Sequence, residues 1–222
     1  MNDVKDFRTV RITFSKKGRA RFISHLDLNR TMTRAVRRAN LPIWYTEGFN
    51  RHPYLTFAAP LSLGYEGEQE TMDLRLEQDM EMSELVTRLD AVMPEGLHIK
   101  HAAWAVCKAG DVDRAVYRLQ LNGCQPEAVT ELFAQSQVLE EKRNKKKEWK
   151  TIDIKPVLDT ANAQITPTET GTQLELTLPC NSTDTVNPAL VTEALRQLPN
   201  MAEFSVSVCR LAVLDKNGNR FA

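Results

Sequence analysis

Apolar and polar positions alternate along this chain with two periods, and the switches between them mark out the elements. Val10, Ile12 and Phe14 alternate with Arg11 and Thr13, which predicts a half-buried strand over about residues 7–15. From Ser24 the period lengthens: Leu28, Met32, Ala35, Val36 and Ala39 recur at i, i+4, i+7, i+8 and i+11, one apolar stripe of a helix. Ser24 is the expected N-cap, Asp27 three residues on completes a capping-box-like start, and Pro42 supplies the stop. A short strand over 43–46 then enters the loop EGFNRHPYLTFAAPLSLGYEGEQE. Alternation resumes at Met72, Leu74 and Leu76, followed by a helix over about 82–92, with Leu85, Val86 and Leu89 on one face and Ser83 as its cap. Pro94-Glu95-Gly96 ends that helix and a strand follows over 97–106. The order is β-α-β-β-α-β, the ferredoxin-like pattern, with a long insertion between its second and third strands.

The same order recurs from Arg114. The pattern predicts a strand over 115–121, a helix over 126–135 opened by Pro126, and a strand over 138–141. After the inserted RNKKKEWKTIDIKPVLD come a hairpin (163–168 and 173–178), a helix from Asn187 and Pro188 to Leu198, and a last strand over 204–214. The expected fold is therefore α+β: two ferredoxin-like β-α-β-β-α-β units in tandem, 1–110 and 111–222, joined near 108–113. Each half carries its insertion at the equivalent place.

Length and composition fit this plan. A chain of 222 residues with 42% hydrophobic positions can bury a core in each of two ordinary domains. No apolar run approaches the roughly 20 residues of a membrane span, and MNDVKDFR is too charged for a signal peptide, so the chain is read as cytoplasmic, with no membrane partner. Cys107, Cys124, Cys180 and Cys209 are scattered, with no zinc or iron–sulfur spacing, so no metal and no cofactor is expected. The chain has no P-loop, G-x-G-x-x-G, G-x-S-x-G or H-E-x-x-H, which argues against ATP- or NAD-driven chemistry.

Charge changes the picture more than composition does. The net charge is zero, but residues 1–40 hold 11 Lys/Arg against 3 Asp/Glu, and residues 66–95 hold 2 against 10. A local patch can bind a polyanion whatever the total, unless the acidic segment neutralises the basic one inside the fold. On the first helix Arg30, Arg34, Arg37 and Arg38 repeat the spacing of the apolar stripe on the opposite side, and no Glu stands at i±4 on that face. Guanidinium suits phosphate as a planar fork and stacks on bases. The turn before the helix adds Arg19 and Arg21.

In GFNRHP, Gly48 and Asn50 tolerate positive φ and Pro53 forces His52 to be extended. Asn50, Arg51 and His52 are candidate ligand contacts there, with Phe49 or Tyr54 as a stacking surface. KRNKKKEWK offers Lys145, Lys146 and Lys147 beside Trp149, the composition of an arm on a nucleic-acid backbone. His25 and His52 are weak candidates for an acid–base pair.

The run RFISHLDLNRTMTRAVRRANLPIWYTEGFNRHPYLTFAAPLSLGYEGEQETMD resembles the bacterial family of radical-SAM-linked proteins. The likeness lies in RFISHLDL, then a GFN-x-HP loop, then FA-x-PL-x-x-G and an acidic run, in that order. Arg51 stands where many members have Pro, which makes this loop less rigid. The second half resembles the family more loosely, through its basic segment and IDIKP. The resemblance implies a partner, a radical SAM protein encoded nearby, and no established activity. In element order the first half is also similar to the CRISPR RNA-processing endoribonucleases, which carry RNA on paired ferredoxin-like domains. The chain lacks the three-cysteine cluster of a radical SAM enzyme. The expected function is thus an accessory RNA-binding protein that presents a tRNA- or rRNA-like substrate to such an enzyme. The alternatives are a metal-independent endoribonuclease using His25 or His52, and a protein–protein adaptor without nucleic acid.

Overall fold

Strand β1 (Thr9–Lys16) takes the middle of a sheet because both of its neighbours complete its ladder, in a computed structural model that describes residues 8–143, 148–181, 183–199, 201 and 203–221. The protein is α+β, with largely antiparallel strands and five α-helices among the described residues. The chain divides into two compact units, Met1–Val112 with Asp215–Ala222, and Asp113–Leu214, so the last residues group with the first unit and not with 111–222.

In the first unit β1 is followed by α1 (His25–Arg38), β2 (Leu55–Thr56), β3 (Glu66–Arg75), α2 (Met82–Asp90) and β4 (Leu97–Trp104). The strand order is β4-β1-β3-β2, every pair antiparallel. Register places Val10 opposite Leu74 and Ile12 opposite Met72. These four, with Phe14, Leu97 and Ile99, form one cluster with Leu28, Met32, Ala35 and Val36 of α1 and Leu85 and Leu89 of α2.

Several predicted elements shift. Residues 43–46 make only isolated bridges, Ile43 with Leu76 and Tyr45 with Pro53, and the second strand is β2, after GFNRHP. The insertion therefore lies mainly between α1 and β2. Strand β3 begins at Glu66, six residues before the apolar alternation, because polar positions can still complete a backbone ladder. The N-cap of α2 is Glu81, without a side-chain cap, and Ser83 lies inside the helix.

β1 is also buried on both faces, not half-buried. Arg11 is only 1% exposed, and its Nε and Nη2 donate to Asp73 Oδ1 and Oδ2 at 2.8 and 2.9 Å. Nη1 meets Cys107 Sγ and Nη2 the Cys107 carbonyl, each at 2.9 Å, and the Phe221 ring lies 3.7 Å from the guanidinium carbon. A fully paired, hydrogen-bonded guanidinium is the form in which charge is tolerated inside a protein. Burial alone would lower the Arg11 pKa, but the bonds to Asp73 and Cys107 outweigh it and raise it.

The second unit runs β5 (Val112–Asn122), α3 (Pro126–Ala134), β6 (Leu139–Arg143), β7 (Trp149–Asp153), α4 (Lys155–Asp159), β8 (Gln164–Thr168), β9 (Gly171–Pro179), α5 (Pro188–Arg196) and β10 (Ser205–Asp215). Its strand order is β10-β5-β9-β8. The strand expected over 138–141 does not join this sheet: β6 and β7 form a separate antiparallel hairpin, with Leu139 opposite Asp153. Helix α4 has no counterpart in the sequence pattern, because at five residues it is too short to show a period. Asp153 Oδ1 accepts from the Val138 and Lys155 N–H groups, both at 3.0 Å, tying the hairpin's end to the start of α4. Glu140 of β6 is 5% exposed, and its Oε1 has no hydrogen-bond partner among the described residues. Burial, and after it the nearby Glu193 carboxylate, pushes the Glu140 carboxyl up from the ordinary 4.5.

Two stability outcomes follow. Met32→Ala should destabilise the protein by roughly 2–5 kcal/mol in chemical denaturation, as for a fully buried side chain cut to a stub. Glu140→Gln should do the opposite. A carboxyl whose folded pKa is raised favours folding only while protonated, below its unfolded value of 4.5, and that benefit is lost as pH rises through the folded value. Denaturation in phosphate buffer should show the variant more stable than the parent at about pH 7, with the gap closing as the pH falls toward 4.5.

Candidate nucleic-acid interface

The basic face is set by how α1 is held at both ends. At its start, Ser24 Oγ accepts from the Asp27 N–H at 3.1 Å and donates to Asp27 Oδ2 at 2.7 Å. Asp27 thus closes on the cap's hydroxyl and not on its backbone N–H, a variant of the expected capping box. At its end the stop precedes Pro42. Asn40 takes a left-handed φ of 50°, the Leu41 N–H reaches the Val36 carbonyl at 3.3 Å, and the Asn40 N–H reaches that of Arg37 at 3.0 Å. This is a Schellman motif with Asn at its left-handed position. Arg88 of α2 then donates from Nε and Nη2 to the Ala39 carbonyl at 3.1 and 2.7 Å, and from Nη2 to the Asn40 carbonyl. A cation on terminal carbonyls answers the negative end of the helix dipole.

With the ends held and the apolar stripe buried, the opposite face stays in solvent. Arg34, Arg37 and Arg38 are exposed, and together with Thr31 and Pro94 they line an open groove of about 470 Å³. Arg38 Nη2 donates to the Val92 carbonyl at 2.7 Å, and the Arg37 guanidinium lies 5.8 Å from the centre of the Tyr45 ring. Both side chains are oriented without being neutralised. Among the described residues no carboxylate pairs with Arg34, Arg37 or Arg38.

The remaining candidates separate. Arg30 pairs with Asp27 at 3.1 Å; the partner stands at i−3, outside the i±4 spacing considered in the sequence. The same cap and pair, Ser24 first and Arg30 second, hold the Asp27 carboxyl below its ordinary value. Arg21 is 3.8 Å from Glu66 and its guanidinium lies 4.7 Å from the Phe22 ring centre. Acidic β3 also takes Lys17 and Lys100 on Glu68, at 2.6 and 3.2 Å, so the acidic run does neutralise part of the basic one. Arg19 and Arg51 are exposed and pair with no carboxylate among the described residues.

In GFNRHP, Gly48 is left-handed at φ 111° whereas Asn50 is not among the positive-φ residues. Phe49 is fully exposed. His52 Nδ1 lies 2.9 Å from the Asn50 carbonyl and 3.1 Å from Thr46 Oγ1, while His25 packs edge-on against Phe57 at 5.0 Å. No hydrogen bond joins the two histidines. Lys145, Lys146 and Lys147 lie outside the described residues. No group of three His, Cys, Asp or Glu able to hold a metal occurs among the described residues, and no helix there is long and apolar enough to cross a membrane.

A family profile described as an uncharacterized protein family conserved in bacteria (DUF2344) matches residues 9–188, which include both units' first helices and the whole GFNRHP loop. The chain belongs to this family. No curated protein matches it. Among solved structures it is similar to the crystal structure of an unknown protein from Galdieria sulphuraria, at 10% identity over 92% of this chain and 99% of that one, with a TM-score of 0.28. At that score the likeness bears on neither fold nor function.

Sequence reasoning did not find that Pro94 lines the groove, that Tyr45 lies beside Arg37, or that Arg88 holds the end of α1. Arg88 sits four residues after Glu84 and does pair with it at 3.1 Å, so its local spacing signals only a surface ion pair. Its reach to α1 is a tertiary contact with no sequence period. Arg88→Ala should lower stability by about 1–2 kcal/mol in denaturation and speed hydrogen exchange at the Asn40 and Leu41 amides, with Arg88→Lys recovering part of both.

Proposed function

We propose that this protein is an accessory RNA-binding protein that holds a tRNA- or rRNA-like substrate for a radical SAM modification enzyme, with α1 as the phosphate-facing element. One observation carries the RNA reading: Arg34, Arg37 and Arg38 converge on one open groove, oriented by Val92 and Tyr45, with no carboxylate to neutralise them. Three guanidiniums left in solvent repel one another, and a strand of phosphates is the ligand that relieves this with planar, bidentate contacts. Arg19 and Arg51 extend the same chemistry, and Arg21 and Arg30 can join it. Exposed ion pairs such as theirs are worth only about 0–1 kcal/mol and exchange readily for phosphate. The radical SAM partner rests on the family resemblance of the RFISHLDL and GFN-x-HP motifs.

We also infer that each unit is a ferredoxin-like domain. Support comes from the β-α-β-β-α-β order of each, the hairpin and α4 set aside as an insertion, and from strand orders that both read fourth, first, third, second. A second reading, a metal-independent endoribonuclease, draws on His52. A ring nitrogen 2.9 Å from a carbonyl is the protonated one, so Nδ1–H faces Asn50 and Nε2 is left as an acceptor on an exposed loop, as a general base needs.

Arg34→Ala with Arg37→Ala should weaken binding to a tRNA and flatten its salt dependence, each lost contact removing about 0.7–0.9 from the log–log slope. Stability should change by less than about 0.5 kcal/mol, because both side chains are exposed. Fluorescence anisotropy across a salt series measures the first and thermal melting the second. Unchanged RNA affinity in the folded double variant would overturn the RNA reading in favour of a protein–protein adaptor.

A further inference from the structure

The GFNRHP loop of the first unit is a small pinned hairpin. Its two arms run antiparallel: the Tyr54 N–H donates to the Trp44 carbonyl at 3.0 Å and the Thr46 N–H to the His52 carbonyl at 2.9 Å, with Tyr45 bridged to Pro53 between them. Nearer the tip, the His52 N–H donates to Thr46 Oγ1 at 3.2 Å, and His52 Nδ1 meets the Asn50 carbonyl at 2.9 Å. Gly48 turns the chain at a left-handed φ of 111°. Phe49 therefore stands on a held turn, and it is fully exposed. Tyr54, the other aromatic expected to stack there, is already engaged: the Arg75 guanidinium lies 4.2 Å from its ring centre and the Trp44 ring 5.8 Å. At the base of the hairpin the Arg37 guanidinium lies 5.8 Å from the Tyr45 ring, so the loop is rooted beside the arginine groove.

We propose that Phe49 stacks on an unpaired base of the RNA whose phosphates the groove arginines hold, so that a looped or single-stranded segment, and not a continuous duplex, is the substrate class of this site. The proposal rests on the RNA reading above and adds the feature of the ligand that the groove alone does not select. A guanidinium contacts phosphate in single and double strands alike, whereas a phenyl ring reaches the face of a base only where that base has left its stack. Phe49 stands four residues beyond Tyr45. Four residues of chain span at most about 14 Å, so a strand of a few nucleotides can lie on the groove and meet the ring. Charge at the tip fits a polyanion as well: Arg51 is exposed and pairs with no carboxylate among the described residues, against one carboxylate in the loop, Glu47. A protein partner suits the tip less well. Specific protein interfaces bury about 800 Å² on each side around an apolar centre, and the neighbours of Phe49 in the loop, Glu47, Asn50, Arg51 and His52, are exposed and polar.

The test uses the full chain and two labelled probes: a short oligouridine, whose bases are unpaired, and the same strand annealed to oligoadenylate. Fluorescence anisotropy is read across a salt series. Phe49→Ala should weaken binding to the single strand about 5- to 150-fold, the range for one stacked base, and binding to the duplex by less than about twofold. The salt slope should keep the parent's value on both probes, because no phosphate contact is lost. Phe49→Trp should retain the parent's affinity and Phe49→Leu should behave as Phe49→Ala, which separates stacking from simple apolar contact. All three variants change a fully exposed side chain, and thermal melts establish that they are folded. The inference is overturned, with the RNA reading intact, if the parent binds oligouridine and Phe49→Ala binds it equally, if the loss is the same on the duplex, or if Phe49→Leu matches the parent; the ring is then left to a protein partner. A parent that binds neither probe overturns both.

Discussion

The packing of one side of α1 against β1 and β3 is the constraint from which the site follows. Met32 and Ala35 are fully buried there and Leu28 and Val36 nearly so, in a cluster shared with Ile12, Phe14, Met72 and Leu74. At 100° per residue, a helix pinned along that stripe has no freedom to rotate. Residues two positions on must then face solvent, and three of them are the arginines of the groove. A rotation that buried one guanidinium would strand its charge in an apolar core, which costs far more than any surface contact returns. The side of α1 that carries the basic face is therefore fixed by the core behind it.

The first unit uses arginine in three different ways, and burial separates them. Arg11 is inside, matched atom for atom by Asp73 and Cys107, and removing either side of the Arg11–Asp73 pair would leave a bare buried charge. Arg88 is half-buried and spends its donors on the carbonyls that end α1. Arg34, Arg37 and Arg38 are exposed and hold no carboxylate. Of these three groups, only the last has donors to offer a ligand. The acidic β3 shapes this division, because its carboxylates take up Arg11, Lys17 and Arg21 along one strand and none of the three groove arginines.

The two units place their insertions at the same connection, between the first helix and the next strand of the sheet, and use them differently. In the first unit the insertion is the GFNRHP loop with its exposed Phe49, Arg51 and His52. In the second it is a β hairpin and a short helix, and the hairpin's first strand carries Glu140, whose Oε1 is buried and has no hydrogen-bond partner among the described residues. Loops at such connections vary without disturbing the sheet, which is where function is most often built.

What the sequence determined by itself was the set of elements with a strong period or a defined chemical boundary. The α1 stripe, the Ser24 cap, the Pro126 and Pro188 helix starts and the hairpin around Gly171 were all legible, because local sterics and hydrogen bonding act within a few residues. So was the arginine face, as the complement of the stripe. Elements without a period were not legible: β2 has two residues, α4 has five, and the acidic start of β3 pairs through its backbone alone. Tertiary structure also decided which charges remain available. The pairings of Arg21 with Glu66 and Arg11 with Asp73, and Arg88's hold on α1, join positions tens of residues apart. The burial of Glu140 was equally invisible, since it is a property of the packed neighbourhood and leaves no trace in the order of residues.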